Sequence, residues 1–154
     1  AYALTRAADR GIPSEVVRRK DFEDQAAYED ALASLMRENK IDLIVLAGFM
    51  SILSKAFTDR FPQRMINIHP SLIPSFCGKG FYGIHVHEAA LRYGVKVSGA
   101  TVHFVNEIPD GRQIIRQKPG DTPESLQKRV MEEAEWIILP EATEEIAARL
   151  LAEA

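Results

Sequence analysis

Cysteine is nearly absent from this chain: Cys77 is the single one in 154 residues. That excludes an internal disulfide and, with no second thiol nearby, argues against a thiolate metal cluster. Long apolar runs are missing as well. No stretch approaches the roughly 20 residues that a membrane span needs, and the first residues lack the charged and apolar regions of a signal peptide. A cytoplasmic protein with no membrane partner is therefore the expectation. There is no surplus of positive charge either, since 19 Lys and Arg stand against 22 Asp and Glu, for a net charge of −3. The basic residues are dispersed rather than gathered in a stripe, so no nucleic-acid partner is expected. Linkers, repeats and low-complexity segments are also lacking. What is present is a length that suits one domain, 1–154, with a core of real size.

The pattern along that length alternates helix and strand. Ala1 to Arg10 reads as a helix closed by Gly11, and Glu15-Val16-Val17 as a short strand. Tyr28, Leu32, Leu35 and Met36 recur at helical spacing and make the apolar stripe of an amphipathic helix. Asp42 to Ala47 and Met65 to Ile68 are continuous β-rich apolar runs, as expected of strands covered on both faces, with a short crossover helix over 54–61. His87 to Tyr93 is helical again and Gly94 closes it. Val97 to Val105 is the longest strand, with Ile114-Ile115 as its neighbour. Thr122, with Pro123 at the first helical position and Glu124 in the first turn, starts a helix whose apolar row runs Leu126, Val130, Ala134, Ile137 until Pro140 kinks or ends it. Repeated βα units predict an α/β fold, a doubly wound and mostly parallel sheet flanked by helices, with ligands at the carboxyl ends of the strands.

The chemistry-bearing residues cluster at such strand ends. Asn67-Ile68-His69-Pro70-Ser71-Leu72-Ile73-Pro74 follows an apolar strand, and the prolines at 70 and 74 stop strand or helix from continuing. Asn67 and His69 have the same parity, so strand geometry sends both side chains to one face. A carboxamide that donates to an oxyanion and an imidazole that moves a proton would then share one site, and Asp110 can supply a carboxylate. The ordinary alternative is that an Asn and a His at a strand end merely cap backbone groups. His85 and His87 form an H-x-H, but without a nearby Cys or paired acid at ligand spacing no metal is expected. Gly78-Lys79-Gly80 lacks the rest of a phosphate loop and reads as a lid. His103, between Val102 and Phe104, reads as a structural side chain on a strand face.

Five segments in order carry a resemblance: Leu46 to Ser54, Asn67 to Pro74, Ser75 to Gly83, Gly99 to Val105, and Gly120-Asp121-Thr122-Pro123-Glu124. Together they resemble the phosphoribosylglycinamide formyltransferase family over essentially the whole chain. The resemblance implies transfer of a formyl group from 10-formyltetrahydrofolate to the amine of glycinamide ribonucleotide, in a Rossmann-like formyltransferase fold without a metal. It implies catalytic roles for Asn67, His69 and Asp110, with Asp110 also ordering the water that relays protons. It further implies a pterin pocket lined by Met50, Ile52 and Leu53 with backbone near Val105, and a ribose contact from Glu135. The family opens with a strand and a Gly-Ser-Asn phosphate-binding turn, whereas this chain opens at Ala1-Tyr2-Ala3-Leu4. The expected domain is thus truncated at its N-terminus and incomplete. Two other readings follow from the same residues: a formyltetrahydrofolate deformylase, which hydrolyses rather than transfers, and an inactive scaffold pairing with another chain. An exposed sheet edge would also allow a homo-oligomer.

Overall fold

The computed structural model describes residues 2–49, 51–78, 80–105 and 122–153, and the backbone alone over 109–116. It divides into two compact units, residues 1–41 and 42–154. The first holds helices α1 (Tyr2–Asp9) and α2 (Gln25–Glu38), with a single 3-10 turn at Arg19–Asp21 between them. Helix α2 starts where the Asp24 carboxylate accepts the Ala27 N–H at 2.7 Å, which satisfies one of the orphan donors of its first turn. Tyr28 is buried on it, edge-on to Phe22. The strand expected at Glu15–Val17 does not form: no strand of this unit lies beside it to complete a ladder, and an extended segment without one is not a strand.

The second unit is built on a sheet that, among the described residues, has four strands in the order β1 (Ile44–Leu46), β2 (Met65–His69), β3 (Val97–Phe104) and β4 (Pro109–Arg116). The α/β class expected from the sequence is present. The sheet is mixed rather than mostly parallel: β1 and β2 run parallel, while β2–β3 and β3–β4 are antiparallel. Apolar runs read alike in either direction, so strand sense was not written in the pattern. Helix α3 (Lys55–Thr58), capped by the Ser54 hydroxyl, makes the crossover from β1 to β2. Helix α4 (Ile84–Tyr93) ends at Gly94, whose φ of 82° is left-handed backbone that a glycine adopts without strain.

Thr122 and Pro123 start α5 (Pro123–Val130) as the sequence predicts, with the Thr122 and Ser125 side chains each bonded to the other's backbone N–H. Pro140, however, does not end the helix. It lies inside α6 (Trp136–Ala152), where the bond it forgoes is the one to the carbonyl four residues back. A π-turn, Met131–Glu135, joins α5 to α6. The row predicted to run to Ile137 is displaced by it: Ile137 is 40% exposed and Ile138, at 7%, takes its place in the core. That core joins one sheet face, Ile66, Ala100 and Val102, to Ala90 of α4 and to Leu126, Val130, Ala134 and Ile138. Burying these side chains contributes on the order of 1.5–3 kcal/mol for each large one.

Candidate active site

The opposite face of β2 and β3 carries the polar residues. Antiparallel register sets Asn67 directly across from His103 and His69 across from Thr101, and facing residues share a side of the sheet. The predicted common face of Asn67 and His69 is therefore present, and two residues from β3 join it. His103 is one of them. Read from the sequence as a structural side chain on a strand face, it has its Nε2 3.2 Å from Asn67 Nδ2. Its Nδ1 lies 3.0 Å from the Phe104 carbonyl, which can only accept, so Nδ1 carries the proton and Nε2 accepts from the Asn67 amide. One N–H of Asn67 is fixed in this way, and the amide plane with it. The other N–H has no protein partner among the described residues.

His69 is oriented by the loop that follows it. Its Nε2 is 2.9 Å from the Phe76 carbonyl, so the neutral ring holds its proton on Nε2 and leaves Nδ1 with a lone pair. Burial holds its pKa below the usual 6.5; the Phe76 carbonyl offsets part of that and nearby His103 adds to it. The loop itself is tied to the sheet through Thr101, which is wholly buried. Its hydroxyl donates to the Ser71 carbonyl at 2.7 Å and accepts from the Ile73 N–H at 3.1 Å. Behind His69 lies His87 on α4, 1% exposed, with Nδ1 lacking a partner; burial, then the proximity of His69, pushes its pKa down to about 4. His85 instead meets Glu88 at the surface, 3.0 Å away. Among the described residues no group of three or more His, Cys, Asp or Glu could hold a metal ion.

The remaining predicted residues fall out unevenly. Asp110 stands on β4 opposite Val102, next to His103 in register, but its side chain lies outside the described residues. Met50 and Lys79 lie outside them altogether. Ile52 is 87% exposed and Leu53 half-buried. Val105 donates its N–H to the Met65 carbonyl and lines a cleft of about 580 Å³ with Lys55, Thr58, Asp59, Phe61, Pro62 and Gln63. Glu135 closes the π-turn, half-buried, and burial raises its carboxyl pKa above 4.5. The sequence did carry a signal for His103, its odd-numbered place beside Thr101. Which face that parity meant became readable only with the register to β2.

An α/β sheet with an oriented carboxamide and a neutral imidazole side by side at strand ends defines a site suited to group transfer through a tetrahedral intermediate. The chain belongs to the formyl transferase family, whose model matches residues 1–143. It is 39% identical over 145 residues to the phosphoribosylglycinamide formyltransferase of Haemophilus influenzae, covering 91% of this chain and 66% of that one. It is 42% identical to the trifunctional purine biosynthetic protein adenosine-3 of Homo sapiens, across 94% of this chain and 14% of the human protein. The structure of the phosphoribosylglycinamide formyltransferase from Coxiella burnetii superposes with a TM-score of 0.82 at 38% identity, over 92% of this chain and 66% of that one. The chain thus spans a seventh to two thirds of the length of these relatives, all of which carry a transferase or purine-biosynthetic name. No described helix is long and apolar enough to cross a membrane.

Proposed function

We propose that this chain transfers the formyl group of 10-formyltetrahydrofolate to the amine of glycinamide ribonucleotide, a step of purine synthesis. The observation that carries the reading is the Asn67–His103 pair beside a neutral His69, on a chain of the formyl transferase family. The amine nitrogen attacks the formyl carbon, and the carbonyl oxygen gathers negative charge. Asn67, its plane held by His103, points its second amide N–H at that oxygen; such preorganised donors stabilise a developing oxyanion by roughly 3–4 kcal/mol. The proton lost by the amine passes to Nδ1 of His69, directly or through water ordered by Asp110. It then reaches N10 of the folate as the carbon–nitrogen bond to the cofactor breaks. No metal enters this sequence, because the charge is met by an amide donor.

In the same reading Met50, Ile52, Leu53 and Val105 line the pterin pocket; of these, Val105 borders the 580 Å³ cleft. Glu135 takes the ribose hydroxyls. A family match over residues 1–143 supports reading both units as one formyltransferase-like domain. A cytoplasmic location goes with this activity. So does pairing of two copies along β1, which ends the described sheet. The relatives' names favour transfer over the deformylase alternative. Calorimetry with a folate analogue and with glycinamide ribonucleotide, each titrated separately into this chain, tests the proposal. Binding of both is the expected result; binding of neither would favour an inert scaffold.

A further inference from the structure

The α5–α6 helix carries its apolar row at every fourth residue: Leu126, Val130, Ala134, Ile138, Ala142 and Ile146 all pack into or against the core. An α-helix advances about 100° per residue, so each four-residue step overshoots a full turn by about 40°. Over five steps the row would wander about 200° around the helix, twice the width of an ordinary apolar stripe. The π-turn Met131–Glu135 halves that drift. Its bonds reach one residue further than an α-turn's, which takes in one extra residue and subtracts about 100°. In an unbroken α-helix Glu133 and Ile137 would each fall within about 20° of Leu126, deep in the core. Both are instead exposed, while Ala134 and Ile138 are buried.

The core does not need the extra residue. Deleting Glu133 would place Ala134, Ile138, Ala142 and Ile146 on the same stripe of a regular helix, with nothing apolar lost. A π-turn whose removal would leave the row intact has its use locally, and such turns recur at functional sites. The ionisable group in this turn that is both half-buried and without a partner among the described residues is Glu135, and the turn packs against β3 from the Ala100 and Val102 side. Glu135 is half-buried in the turn, and that burial raises its carboxyl pKa.

We propose that the π-turn is a substrate-positioning insertion, in which one extra residue sets how far along the helix, and how far out from it, the Glu135 carboxylate stands. The inference rests on the reading that Glu135 meets the nucleotide. Removing one residue draws Glu135 back by about 1.5 Å, the rise of one residue, and misplacements near 1 Å cost about a hundredfold at catalytic sites.

The test compares this chain, its Glu133 deletion and Glu135→Ala by calorimetry with glycinamide ribonucleotide and, separately, a folate analogue, together with urea unfolding. The deletion is expected to unfold cooperatively at the same or higher urea, to keep folate affinity within about twofold, and to lose at least tenfold in nucleotide affinity, as Glu135→Ala does. Nucleotide affinity unchanged in the deletion but lost in Glu135→Ala would overturn the proposal. Failure of the deletion to fold would overturn it too, because the core would then depend on the extra residue. Unchanged affinity in Glu135→Ala would instead overturn the reading of Glu135 itself.

Discussion

Acid should loosen this fold largely through His87. The ring is almost wholly buried, its Nδ1 is unpaired, and burial beside His69 lowers its pKa from 6.5 to about 4. Between those values the unfolded chain binds a proton that the folded chain refuses. The contribution is therefore fully present above about pH 6.5 and is lost as pH falls toward 4. At pH 5 the two pKa values correspond to a loss of about 2 kcal/mol, and water near the ring reduces that to about 1–2 kcal/mol. His87→Leu has a similar volume, needs no hydrogen bond, and removes the titration. Urea unfolding at pH 8 and pH 5 should show the unaltered chain losing about 1–2 kcal/mol more than the variant over that interval. His69 shifts in the same direction but is present in both proteins. Equal losses would refute the argument, and so would a larger loss in the variant.

Thr101→Val keeps shape but strands the Ser71 carbonyl and the Ile73 N–H, both of which the buried hydroxyl satisfies. A loss of about 2–4 kcal/mol in urea unfolding is expected, and a change below about 0.5 kcal/mol would show that the loop is held by other contacts. Leu126→Ala empties the centre of the core where α5 meets the sheet, and should cost about 2–5 kcal/mol in the same assay. In the proposed mechanism neutral His69 takes the proton; with burial holding its pKa below 6.5, the transfer rate should stay level above pH 6.5 and fall on the acid side of it. A rate that rises on acidification would contradict that role.

Features set by neighbours in the chain were legible in the sequence. The Thr122-Pro123 helix start, the Gly94 cap, and the shared face of Asn67 and His69 follow from local sterics and strand parity, and each is present. What escaped depended on partners distant in the chain. Strand direction, the pairing of Asn67 with His103 and the absence of a strand at Glu15–Val17 are all matters of which segment lies beside which. The displacement from Ile137 to Ile138 escaped for another reason. A row spaced by three and four residues presumes a uniform helix, and a single π-turn breaks that assumption without any proline or glycine to announce it.

The central claim is that Asn67, oriented by His103, stabilises the oxyanion of a formyl transfer. The most direct measurement is formyl transfer from 10-formyltetrahydrofolate to glycinamide ribonucleotide by this chain and by Asn67→Ala, with folate-analogue affinity measured alongside. The account predicts a fall of about 10²–10³ in kcat with that affinity preserved. Transfer by the variant within a few-fold of the unaltered chain, or no transfer by either, would contradict it.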